Sequence, residues 1–185
     1  MKKLIFLFLL FPALAFAQDY DYKSDLPIKD GSIVYEKTVD GLDLKKDKLY
    51  AVSKKWIADN FSNAKSVIQS EDVNSGQIIA KGISNIPNKP ALLALLGDQK
   101  YKYTVQFDTK DGKYRMRIYD IAIHVDVNGY QQDSYINDVF LNSKPITGAS
   151  RIAKAKKTID NFNTLFNGYL ESFHQAVIKA KEDTF

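Results

Sequence analysis

The chain has no cysteine, two histidines and one tryptophan. Without cysteine there are no disulfides, no thiol nucleophile and no cysteine-ligated metal. There is also no thiol for a lipid anchor. Stability has to come from burial, and 45% hydrophobic residues is ordinary for that. With His124 and His174 as the whole histidine complement, acid–base and metal chemistry have few starting points. A glycine-rich phosphate loop is missing, and no serine sits in a G-x-S-x-G elbow. A strong charge of one sign is missing too. Setting aside Lys2 and Lys3 leaves 24 of the 26 basic side chains against 22 acidic ones, a net charge of +2. No basic stripe is dense enough to suggest nucleic acid as a partner.

The apolar runs that are present are short. Lys2 and Lys3, the run Leu4 to Phe11, and Ala15-Phe16-Ala17 have the layout of a secretory signal peptide. Cleavage after Ala17 would leave 168 of the 185 residues, enough for one domain. Export to the periplasm or beyond is the expectation, as a protein that is not a lipoprotein and has no transmembrane segment after cleavage. Residues 18–30 (QDYDYKSDLPIKD) are polar and aperiodic and are expected to be a flexible linker. Residues 31–185 are expected to form a single domain.

Within that domain, Gly31 to Val39 is β-rich. Lys46 to Phe61 carries Leu49, Val52, Trp56, Ile57 and Phe61 at helical spacing. Val67–Asp72 and Gln77–Ile83 are short β segments around the turn Asn74-Ser75-Gly76. Lys100 to Asp108 alternates, with Tyr101, Tyr103, Val105 and Phe107 on one side. Residues 130–142 are weakly patterned, and a short extra strand is one option there. From about 150 to 181 a continuous apolar stripe runs from Ile152 to Ala180. A helix that long, roughly 45 Å at ~1.5 Å per residue, either crosses a sheet obliquely or overhangs it. Ala91-Leu92-Leu93-Ala94-Leu95-Leu96 is the other apolar run. It is either a turn tucked on the core edge or an exposed interaction loop.

The stretch Tyr114 to Val127 (YRMRIYDIAIHVDV) changes phase. Tyr114, Met116 and Ile118 share one face, and then Ile121, Ile123, Val125 and Val127 take over. A two-residue loop at Asp111-Gly112 pairs Phe107 with Met116, Val105 with Ile118 and Asp108 with Arg115. Regular pairing beyond that would set Asp120 against Tyr103, a carboxylate among aromatics. One extra residue at Tyr119-Asp120, a β-bulge, instead sets Tyr103 against Ile121 and Tyr101 against Ile123. A four-residue loop keeps the same parity and is the second choice. A three-residue loop would pair Phe107 with Arg115 and is rejected.

LPIKDGSIVYEKTV (26–39), KDKLYAVSKKWIADNF (46–61), VIQSEDVNSGQIIAKG (67–82) and YTVQFDTKDGKYRMRIYDI (103–121) resemble domain-of-unknown-function family 4468. These are exported proteins of Gram-negative bacteria with a TATA-binding-protein-like (TBP-like) fold. The resemblance implies an α+β fold: a curved antiparallel β-sheet in the order β-α-β-β-β-β-α, with both helices on one face. It implies no activity and carries over no site residues. Lys45 stands where a helix-capping serine would be usual, so Asp43 or Asp47 is expected to cap.

Function is therefore read from faces. An enzyme is not expected, and neither a catalytic residue, a metal site nor a cofactor is assigned. His124 alternates with Asp126 and is expected on a solvated strand face; Glu71-Asp72 is expected to be solvated. The sheet face opposite the helices would present Lys100, Lys102, Arg115, Arg117, Tyr119 and His124. These residues suit an anionic glycan, a peptide or an envelope protein. The alternative is an assembly component that uses Leu92, Leu93, Leu95 and Leu96 together with the long helix.

Overall fold

The computed structural model describes residues 19–61, 64–85 and 98–182. The expected signal peptide (residues 1–17) and the 91–96 run lie outside these residues. The main sheet contains β3 (Tyr35–Val39), β4 (Ile68–Asp72), β5 (Gln77–Asn85), β6 (Asp98–Lys110), β7 (Lys113–Val127) and β8 (Tyr130–Tyr135). All of its pairs are antiparallel. The strand order is β3-β7-β6-β5-β4, and β8 also pairs with β7. Helices α1 (Lys46–Asn60) and α3 (Ala149–Glu182) cover one face, and α2 (Ala64–Val67) is a single turn.

Aromatic alternation on β6 and β7 builds the core. Tyr101, Tyr103, Val105 and Phe107 of β6 are buried with Tyr114, Met116 and Ile118 of β7. From α3, Phe166 meets Tyr35 and Tyr103 at 5.1 and 5.2 Å, and Phe173 meets Phe107 and Tyr114 at 4.8 and 4.9 Å. Trp56 of α1 packs edge-on against Phe107 at 5.7 Å, and its Nε1 donates to Ser172 of α3 at 3.0 Å. Each of these rings contributes about 1.5–3 kcal/mol by leaving water. One close approach needs glycine: a Cβ on Gly82 would lie 2.3 Å from the Tyr103 ring.

The β6–β7 register carries the expected bulge. Thr104 to Lys110 pair with Tyr119 to Lys113, and Asp98 to Lys102 pair with Asp126 to Ala122. Tyr103 faces the extra residue, so the irregularity lies at Asp120. Asp120 takes a left-handed φ of 51°. Ile118 and Ile121 both remain in the core. The bulge also divides the outer edge of β7. Below it β3 pairs with Tyr114–Ile118, and above it β8 pairs with Ala122–Val127.

Several expectations need correction. Residues 19–30 are packed rather than a flexible linker: Tyr20 and Leu26 are buried, and Tyr20 bridges to Ile146. Ile28–Lys29 (β1) forms a small hairpin with Ser32–Ile33 (β2), so the β-rich stretch from Gly31 splits before β3. This N-terminal segment explains the length of α3. Tyr20, Tyr22 and Phe140 form a chain of ring contacts ending on Phe162, and the Lys156 ammonium sits over the Tyr20 ring at 5.2 Å. The part of the stripe that a compact sheet could not cover is covered by the chain itself. The α1 cap is neither Asp43 nor Asp47: Lys46 N donates to Asp111 Oδ1 at 2.8 Å, from the β6–β7 turn. Tertiary structure supplies the carboxylate that local sequence lacks.

Candidate functional site

The helix-free face is built by the other parity of the same strands. It carries Gln77 and Lys81 of β5, Lys102, Thr104, Gln106 and Asp108 of β6, and Arg115, Arg117 and Tyr119 of β7. Asp108 is its hub. Its Oδ1 accepts from Gln77 Nε2 at 2.9 Å and Gln106 Nε2 at 2.8 Å. Its Oδ2 accepts from Arg115 Nε and Nη2 at 3.0 and 2.9 Å, with Arg117 Nη2 at 3.9 Å. Burial alone would raise the Asp108 pKa. The bonds from Gln77, Gln106 and Arg115, with the Arg115 charge, outweigh that and hold the carboxyl below its ordinary value. Gln106 in turn accepts from the Tyr119 hydroxyl at 3.2 Å, and Arg117 lies over the Tyr119 ring at 5.8 Å.

A second hub sits past the bulge. His124 Nδ1 donates to Asp133 Oδ1 at 2.6 Å, and Lys102 Nζ donates to Asp133 Oδ2 at 3.1 Å. The His124 bond and the Lys102 ammonium keep Asp133 ionised, holding its pKa below the ordinary value against a smaller effect of burial. His124 was expected on a solvated face beside Asp126. It is instead 9% exposed and paired with Asp133, because β8 forms alongside β7 and brings Asp133 opposite it.

The six residues expected on this face are thus divided. Arg115, Arg117 and Tyr119 join the Asp108 cluster. Lys102 and His124 join Asp133. Lys100 is partly buried and lies opposite His124 in the register. The arginines and Lys102 are matched by carboxylates, so they do not add up to an open cationic patch. Leu92, Leu93, Leu95 and Leu96 lie outside the described residues. The partners that sequence alone did not identify are Glu36, Asp133 and Asn137. They sit on weakly patterned or separate segments that only strand pairing brings here.

Two concavities meet at Asp120. One, of about 320 Å³, is lined by Lys29, Ile33, Glu36, Arg117, Tyr119 and Asn137 among others. The other, of about 360 Å³, lies between Lys81, Ile83, Lys102, Ala122, Asp133 and Tyr135. In the first, Glu36 and Arg117 are directly opposed across β3 and β7. Glu36 Oε1 accepts from Lys29 Nζ at 2.7 Å, while Glu36 Oε2 and Arg117 Nε are buried without a hydrogen-bond partner. Among the described residues, no group of three or more His, Asp or Glu could hold a metal ion. None of the described helices is long and apolar enough to cross a membrane.

Residues 35–124, which contain β3 to β6, most of β7, α1 and the bulge, match the family described as a domain of unknown function (DUF4468) with TBP-like fold. Over those residues the chain is similar to the DUF4468 family. A crystal structure of a TBP-like protein from Parabacteroides distasonis has a similar fold. The TM-score is 0.60 at 16% identity, covering 87% of this chain and 99% of the other. A DUF4468 family protein from Bacteroides ovatus aligns with a TM-score of 0.56 at 19% identity, covering 86% and 92%. At these identities the likeness concerns the fold alone. None of the curated proteins matches this chain. The DUF4468 match ends at His124, so β8, with the Asp133 that holds His124, lies beyond it.

Proposed function

We propose that this protein is an exported, non-enzymatic binding module of the bacterial envelope whose ligand sits on the helix-free sheet face. The observation that carries this reading is the pair of concavities meeting at the Asp120 bulge, on the one sheet face that no helix covers. Their volumes fall at the lower end of ligand sites. The leader Met1 to Ala17 supports export. The charges on the face already engage one another through Asp108 and Asp133, and this speaks against general acid–base work. The same pairing favours a ligand of mixed charge, such as a peptide, over an anionic glycan. The assembly reading loses part of the long helix's apolar stripe, since the N-terminal segment and Phe140 pack on its first half.

The test is chemical-shift mapping on the ¹⁵N-labelled protein with two probes, a mixed tripeptide pool and an alginate oligosaccharide. We expect the peptides to move amides of β3, β6 and β7 around Gln106, Arg117 and Asp120. Shifts confined to β4 or the outer surface of α3, or no shift with either probe at millimolar concentration, would sink the proposal.

A further inference from the structure

The cavity between β2, β3 and the bulge has a specific chemical requirement. Glu36 and Arg117 are cross-strand neighbours of opposite charge, yet each takes its ion pair elsewhere: Glu36 with Lys29, and Arg117 with Asp108. Each keeps one polar atom, Glu36 Oε2 or Arg117 Nε, buried and unpartnered. Two such atoms on directly paired residues are unusual, because buried polar groups are nearly always bonded. They are an acceptor and a donor, carried by a carboxylate and a guanidinium. A ligand that completes both and matches their charges brings an ammonium and a carboxylate close together.

The other walls narrow the choice. Lys29 and Arg117 face Asp30, Glu36 and Asp120, so the lining has one more negative than positive group and disfavours a polyanion. About 320 Å³ holds a small molecule and excludes a folded domain. The Tyr119 ring, stacked under Arg117, and Ile33 provide apolar wall. Guanidinium is the side chain best shaped for a carboxylate.

We propose that this cavity binds the zwitterionic main chain of a free amino acid or dipeptide, with the carboxylate on Arg117 and the ammonium on Glu36. The inference rests on the open-face binding reading and names its ligand class. Binding turns the two side chains toward the cavity, exchanging unpaired atoms for charge-assisted bonds.

The test uses four probes on the ¹⁵N-labelled protein: glycylglycine, N-acetylglycine, glycinamide and acetate. Glycylglycine should move the amides of Glu36, Arg117, Tyr119 and Asn137. The singly charged probes should bind at least tenfold more weakly. Glu36→Gln should abolish the preference for glycylglycine over N-acetylglycine, and Arg117→Gln the preference over glycinamide. The spectrum of each variant reports whether it is folded. A wild-type protein that binds all four probes alike, or none, overturns the zwitterion assignment. If shifts still fall on this face without the preference, only the ligand class fails. If they fall on the helical side, the open-face reading fails with it.

Discussion

Removing Asp120 tests whether the phase change in β7 is a single inserted residue. After deletion, Thr104 still faces Tyr119 and Lys102 still faces Ala122, with Tyr103 now opposite Ile121 alone. Every core side chain therefore keeps its face. The left-handed backbone at Asp120, φ 51°, disappears. That relieves up to about 1–2 kcal/mol, less for aspartate than for most residues. Against this stand a long Thr104–Asp120 bond of 3.4 Å and a shift of β8 toward β3 by ~3.4 Å, one residue of strand. The net change should lie within about 2 kcal/mol, a modest part of a typical 5–15 kcal/mol stability. Deleting Ala122, two residues on, leaves the bulge and moves the rest of the strand by one. Ile123, half-buried against the aromatic core, then leaves it, at most about 1.5–3 kcal/mol. His124 enters that core and loses Asp133, about another 1–3 kcal/mol. The pairing with β8 also slips along its whole length. Urea unfolding followed by fluorescence of Trp56, the single tryptophan, reads both variants from the centre of the core. If losing Asp120 destabilises as much as losing Ala122, the bulge argument is wrong.

Two further predictions follow from particular contacts. Gly82→Ala should destabilise by about 1–3 kcal/mol, because its Cβ would lie 2.3 Å from the Tyr103 ring and 2.9 Å from Phe61; an unchanged thermal midpoint would contradict the packing. Asp108→Asn should lower stability by about 1–2 kcal/mol at pH 7, discounted for the solvent-facing side of the carboxylate. The folded pKa of Asp108 lies below its reference of 3.8, so its contribution is complete above that pH and lost as pH falls through the lower folded value. The difference between wild type and variant should therefore shrink in urea titrations near pH 3, and an equal difference at both pH values would remove Asp108 from the hub.

Much of the fold was legible because it is written in local periods. Alternation in Lys100–Asp108 and in Tyr114–Val127 marked the central hairpin, and its break located the bulge to within a residue of Asp120. Three-four spacing marked both long helices. Burial enforces these patterns residue by residue, so they survive in the linear chain. The N-terminal segment was not legible, because Tyr20, Tyr22 and Leu26 have no period and are recruited only by the exposed front of α3 and Phe140. The same holds for polar pairing. Asp108 with Arg115 followed from the hairpin register, but Asp111 as helix cap lies 65 residues from Lys46. Glu36 beside Arg117 and Asp133 on His124 required β3 and β8 to share one edge of β7. By itself the sequence determined which side chains of the long strands and helices face the core, since apolar burial imposes a period. Apart from Asp108 with Arg115, which charges meet on the open face was decided by the tertiary structure, because a carboxylate's partner depends on distance across strands and leaves no period behind.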